Sequence, residues 1–183
     1  MSDDIVSVAP REIHDLIQRA SRVKGCEASV AEKIASRITF SEVHNGGGIN
    51  SWLQIAAGEV GALNETFRLS QVLDSIPAEN SSSFTWDPPI SFALISEPLN
   101  LLQSHGFTWS CEPEVTTGES LVEHVYLIEE ASANSSTNRK LATAFSEGVQ
   151  VNKSDWKDLT DIAANFLLSE EILDDAESLL ANE

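Results

Sequence analysis

An α+β fold is predicted for this chain by three observations. Apolar residues recur at helical spacing through residues 1–76, β-branched and aromatic runs take over across 90–151, and a helical period returns over 154–181. With 183 residues and ordinary apolar content, the chain suits one domain with a full core. The Pro- and Ser-rich stretch 77–89 reads as a long surface loop between its two halves.

The first helix is expected over 10–24. Pro10 fits a first helical turn, Ile13, Leu16, Ile17 and Ala20 follow at the right spacing, and Gly25 supplies the stop. Val30, Ala31, Ile34, Ala35 and Ile38 then repeat the period, so the second helix pairs with the first as an antiparallel hairpin and runs out near Val43. A third helix follows through Trp52, Leu53, Ile55, Ala56 and Val60, with Asn50 or Ser51 as its cap. A fourth, opening at Asn64 and carrying Phe67, Val72 and Leu73, is ended by Pro77.

Residues 90–95, 107–111 and 121–128 read as strands of a small mixed or antiparallel sheet, with a short helix over 98–105 that Gly106 ends. The run 121–128 carries apolar residues on both faces and is therefore placed centrally. Residues 131–140 read as a polar loop, and 141–145 and 148–151 as a last hairpin partner. From Ser154 a long acidic helix begins. Leu159, Ile162, Phe166, Ser169, Leu173, Ala176 and Leu180 fall at alternating steps of three and four, which makes a heptad seam with one polar position.

Charge narrows the partners. A formal net charge of −18 with 11 Lys and Arg against 29 Asp and Glu opposes nucleic acid and anionic membrane surfaces, because both are bound through cations. Basic proteins and cationic or neutral small molecules stay open. The opening Met-Ser-Asp-Asp has neither a basic nor an apolar leader segment, and no apolar run approaches the roughly 20 residues that span a bilayer. The expectation is a soluble, cytoplasmic protein. In that setting Cys26 and Cys111 are free thiols, and the Asn-x-Ser/Thr matches at Asn64, Asn80, Asn134 and Asn152 carry no glycans.

The segment 41–52 is where chemistry would sit. His44 precedes Gly46, Gly47 and Gly48, and three adjacent glycines are kept where a backbone turns sharply or approaches something closely. His44 is a candidate general acid or base, since imidazole titrates near neutrality; the reading that outweighs this one places it in the last turn of a helix, where the dipole favours it. The glycines are a candidate anion cradle at the start of the third helix, although no Lys follows at P-loop spacing. Cys111 shares a strand phase with Phe107 and Trp109 and reads as a buried thiol. His14, expected to face solvent, His105, a helix-end residue, and His124 are scattered, so no metal and no cofactor is expected. Trp52, Trp86, Trp109 and Trp156 are core candidates, with Trp86 also a candidate exposed binding residue in its Pro-rich loop.

Two resemblances follow from these residues. The short helix, Gly-rich turn and alanine-rich helix of 12–33, with the pair Ala31-Glu32, together with Trp156, Leu159 and Ala163 near the end, resemble a bacterial family of unknown function. That family continues into a loop with Pro and Arg, which 168–176 here lack, and it implies no activity. Glu42, His44 and Gly46 resemble the start of the malate/lactate dehydrogenases that lack a Rossmann fold, where a His beside a Gly protonates the substrate carbonyl. Here Asn45 stands directly after the histidine, and the chain is too short for that family's nucleotide-binding portion.

Two functions are therefore expected in competition. One is a non-catalytic accessory or binding protein acting through protein association, as a hetero-complex or homo-oligomer, with Phe166, Leu173 and Leu180 presenting the seam. The other is a small-molecule enzyme or ligand-binding domain centred on His44 and Gly46–Gly48.

Overall fold

The structure, a computed structural model, describes residues 4–75, 82–129 and 137–180, with the side chains of 137–139 and 167–180 outside the description. It is α+β, built from a helical layer and two small antiparallel sheets. Strand β1 (Ile5–Val8) lies ahead of Pro10, where no element was expected, and pairs with β5 (Val149–Asn152), Ile5 opposite Asn152 and Val8 opposite Val149. Helix α1 (Pro10–Val23) starts with Pro10 at its first turn, and the Glu12 carboxylate accepts the Ala9 N–H at 3.1 Å.

Helix α2 (Ala28–Asn45) returns against α1 as the predicted hairpin. Arg22 Nη1 donates to the Cys26 carbonyl at 2.9 Å close to the turn, and Gln18 Nε2 reaches Glu32 Oε2 farther from it. His14 is not out in water as expected. Its side chain is 26% exposed and lies 3.5 Å from Glu32 Oε1, across the hairpin.

Helices α3 (Gly48–Ala56) and α4 (Ala62–Ser70) continue the layer, and a 3₁₀ turn over Gln71–Ser75 ends it. The long helix α7 (Lys153–Leu180) crosses α1 and α3 rather than the larger sheet. Ile13, Ile17, Ile38, Trp52 and Leu159 are fully buried in this first core, and Trp52 Nε1 donates to Ser21 Oγ at 3.0 Å. Of the seam, Leu159 is buried and Ile162 and Phe166 are partly buried; the Leu173 and Leu180 side chains lie outside the described residues.

The second core lies under the larger sheet, made of β2 (Ser82–Ser91), β3 (Phe107–Glu112) and β4 (Leu121–Glu129) in the order β2-β4-β3. β4 is central, as predicted. Val122, Val125 and Leu127 are buried with Phe107 and with Leu99 of α5 (Ser96–Ser104). The other face is polar: Thr85 Oγ1 lies 3.0 Å from His124 Nδ1, and the Tyr126 hydroxyl donates to Glu112 at 3.2 Å. Leu121 and Ile128 are exposed apolar residues of β4.

Several expectations are corrected. The stretch read as a loop becomes strand from Ser82 onward, with 76–81 outside the described residues. Pro88 and Pro89 hid it, and they are tolerated because β2 is an edge strand with a register shift between Thr85 and Ile90. Trp86 is accordingly 6% exposed, with Nε1 donating to the Leu69 carbonyl at 3.1 Å. The strand expected over 90–95 stops at Ser91, whose Oγ accepts the Ala93 N–H and turns Phe92–Leu94 into a 3₁₀ helix. Residues 141–145 belong to α6 (Thr137–Glu147), so the polar-loop expectation fails from Thr137 on, while 130–136 lie outside the described residues. β5 pairs with β1 instead of closing a hairpin.

Candidate functional site

The glycine segment joins the two halves of the molecule. Helix α2 ends at Asn45, and Gly46 and Gly47 both take φ of +71°, a left-handed backbone that a side chain would strain. Gly47 caps α3, accepting the Ser51 N–H at 3.0 Å. The expected cap by Asn50 or Ser51 is therefore displaced by one turn. Ser51 is buried instead, bonded to Ser91 Oγ of β2.

The anion predicted at the start of α3 belongs to the protein. Glu42 Oε2 accepts the Ile49 N–H at 2.8 Å, and the Gly48 N–H also supports the carboxylate. Glu42 is 8% exposed, and burial pushes its pKa up. The two backbone donors oppose that shift, whereas the nearby Asp155 and Glu119 carboxylates reinforce it.

Glu119 arrives from the connection between β3 and β4. That connection is tied down at Gly118, whose N–H donates to the Gly46 carbonyl at 2.8 Å and whose own carbonyl accepts from Ala93 N–H at 3.0 Å and Ser91 Oγ at 3.1 Å. Asp155 comes from the first turn of α7. Together with Asn50 and Asn152 these groups line a cavity of about 370 Å³ beside Gly46 and Gly47. Among the described residues no Lys, Arg or His lines it. A second cavity of about 570 Å³ shares Glu42 and Gln150 with it and is walled by Val43, Ala144 and Val149.

His44, the one expected catalytic candidate, is not joined by Cys111 or His124. His44 stacks on Phe40 at 4.0 Å, and its Nδ1 lies 2.8 Å from the Phe40 carbonyl, to which an Nδ1–H donates; its buried Nε2 has no hydrogen-bond partner among the described residues. The His44 carbonyl accepts from Lys140 Nζ at 2.8 Å. Cys111 faces the second core, where burial pushes its thiol up to about 11, and His124 sits on the polar outer face of the sheet. His105 ends α5, as expected. Cys26 is buried and both cysteines are free thiols. Among the described residues no group of three or more His, Cys, Asp or Glu is placed to hold a metal, and no helix is long and apolar enough to cross a membrane.

Chemically the cleft is an acceptor site. Three carboxylates from α2, the β3–β4 connection and α7 converge with amide side chains, an arrangement suited to an ammonium or guanidinium group. Sequence reasoning missed Gly118, Glu119 and Asp155. Glu42 offered a faint signal, a carboxylate one turn ahead of a glycine break.

Glu42 yields a signed expectation. Its folded pKa is raised, so below the ordinary glutamate value of 4.5 the carboxyl is protonated folded or unfolded and no stability is lost. As pH rises, the unfolded chain releases this proton first, and stability falls until the folded carboxyl has ionised as well. Glu42→Gln keeps an acceptor for Ile49 and removes the charge. It is expected to match the wild type in acid and to exceed it at pH 7, read by urea unfolding at both pH values. An equal stability difference at both would contradict this origin.

No family model, curated protein or solved structure matches this chain.

Proposed function

We propose that this protein is a non-catalytic binding protein that works by associating with a basic protein, one of whose Lys or Arg side chains enters the acidic cleft. The observation that carries this reading is the convergence of Glu42, Glu119 and Asp155 on one cavity with no cation lining it among the described residues. The net charge of −18 agrees with it, since such a field draws basic partners and speeds their encounter. The scatter of His44, Cys111 and His124 into three separate surroundings supports a binding role over an acid–base or nucleophilic one.

Charge-matched variants test the proposal. Glu119→Lys with Asp155→Lys reverses the cleft, while Glu114→Lys with Glu129→Lys changes net charge equally at exposed positions elsewhere. A protein that co-purifies with the wild-type chain from its native extract is expected to be lost from the first pair and kept by the second. Equal loss from both, or no co-purifying protein at all, would contradict the proposal. The competing small-molecule reading is favoured by Gly46 and Gly47 lining the same cavity. It predicts a co-purifying cationic metabolite in place of a protein.

A further inference from the structure

Strand β5 has one partner among the described residues, β1, and its other edge borders both cavities. Val149 and Gln150 line the larger one, and Gln150, Val151 and Asn152 line the acidic one. Consecutive residues point to opposite faces of a strand, so the two cavities, which share Glu42 and Gln150 and between them touch all four residues, lie side by side along the strand's edge and together form a groove there. The pairing phase fixes what that edge offers. Lys153 N–H donates to the Asp4 carbonyl at 2.8 Å, next in register after Asn152 opposite Ile5. Hydrogen-bonded and non-bonded pairs alternate in an antiparallel ladder. Val151 and Val149 therefore bond to Val6 and Val8, and the N–H and C=O of Gln150 and the N–H of Asn152 turn away from β1 toward the groove, while the Asn152 carbonyl, directly ahead of Lys153, serves the first turn of α7.

We propose that a partner segment docks here as a third strand, pairing with the free edge of β5. This rests on the proposed association with a basic protein and names the form of the segment. The groove is asymmetric along its length. At the Val149 end its walls are Val43, Ala144 and Val149, and Lys140 there is engaged by the His44 carbonyl. At the Asn152 end they are Glu42, Glu119 and Asp155. The three steps between those ends cover about 10 Å at the usual strand rise. The occupant is thus an extended segment with an apolar residue at one end and a Lys or Arg two to four positions away. Main-chain bonds supply affinity and alternate side chains supply selectivity, as in other strand additions. A second copy of this chain is a poor occupant, because 29 acidic residues against 11 basic ones repel at an acidic groove.

The test uses the full chain and two end-blocked probes, Val-Thr-Val-Thr-Lys-Thr-Lys and its reverse, with binding read by fluorescence anisotropy. One of the two is expected to bind, and at least about tenfold more tightly than versions with Ser for Val, with Glu for Lys, or with N-methylated backbone amides. Gln150→Pro, which removes an N–H facing the groove and none that β1 uses, is expected to weaken it by a similar factor; the N-methylated probe stands in should that variant fold poorly. Loss of binding in Glu119→Lys/Asp155→Lys completes the expected pattern. Equal binding of the plain and N-methylated probes overturns the strand addition and leaves the basic-partner reading to the co-purification result. No binding of either probe, or a dimer by light scattering that Gln150→Pro dissociates, also overturns it.

Discussion

Gly118→Ala is expected to lower stability by about 3 kcal/mol, the upper end of what overpacking a close contact costs. A Cβ at Gly118 would stand 2.5 Å from Ser41 Oγ, 2.8 Å from the Gly46 carbonyl and 3.1 Å from the Gly48 nitrogen. Two of those three atoms are backbone, held by α2 and by the start of α3, so they cannot swing aside. The β3–β4 connection must lift instead, breaking the Gly118–Gly46 hydrogen bond and moving Glu119 off the cleft. Gly46→Ala is the comparison. Its φ of +71° with ψ of 168° is a backbone essentially reserved for glycine, but nothing lies within 4 Å of the added carbon, so its cost is expected at about 2 kcal/mol. Chemical denaturation of both variants checks this, and a smaller loss for Gly118→Ala than for Gly46→Ala would show that the two halves are not held this closely.

Arg37→Met is expected to cost about 3 kcal/mol through a different mechanism, the loss of one partner from a buried ionic network. Arg37 is 4% exposed, and its Nη2 donates to both carboxylate oxygens of Asp74 at 2.6 and 2.7 Å. It also donates to Ser70 Oγ and to the Leu94 carbonyl at 3.1 Å, and its guanidinium lies 4.9 Å from the Phe67 ring centroid. One side chain thus ties α2 to α4 and its following turn, and to the 3₁₀ segment Phe92–Leu94 that divides between the two cores. Burial pushes the guanidinium below its ordinary pKa, and Asp74 and Glu97 oppose that shift. Asp74→Asn is expected to cost less, about 1 kcal/mol, because its side chain is 37% exposed and solvent screens the pair from that side. Thermal and urea unfolding of the two variants give the ordering, and an equal cost would show that the ion pair, rather than the fully bonded guanidinium, sets it.

How far the chain could be read from its residues depended on where each signal lay. Helices α1, α2 and α7 were legible because Ile13, Ile17, Ile34, Ile38, Leu159 and Ala163 repeat a period that burial then uses. β3 and β4 were legible as β-branched and aromatic runs, 107–111 and 121–128. β1 and β5 are four residues each, and their pairing joins segments far apart in the sequence, Ile5 with Asn152 and Val8 with Val149, so no local pattern announces them. α6 was hidden because its buried face rests on little more than Ala144, with Leu141 and Phe145 left exposed. At the site, the glycine break and the anion-binding start of α3 were visible in 41–52. The identity of that anion as Glu42, and the arrival of Glu119 and Asp155, were not, because they depend on which loop and which helix end the fold brings to the same place.

The acidic cleft as a receptor for a cationic group is the central claim, and amide chemical shifts of ¹⁵N-labelled full-length protein titrated with n-butylguanidinium chloride test it most directly. Shifts are expected to concentrate at Gly46, Gly47, Ile49, Glu119, Asn152 and Asp155 and to vanish in Glu119→Gln/Asp155→Asn, with equal sodium chloride as the reference. Shifts spread evenly over the other exposed carboxylates, or unchanged in that double variant, would contradict it.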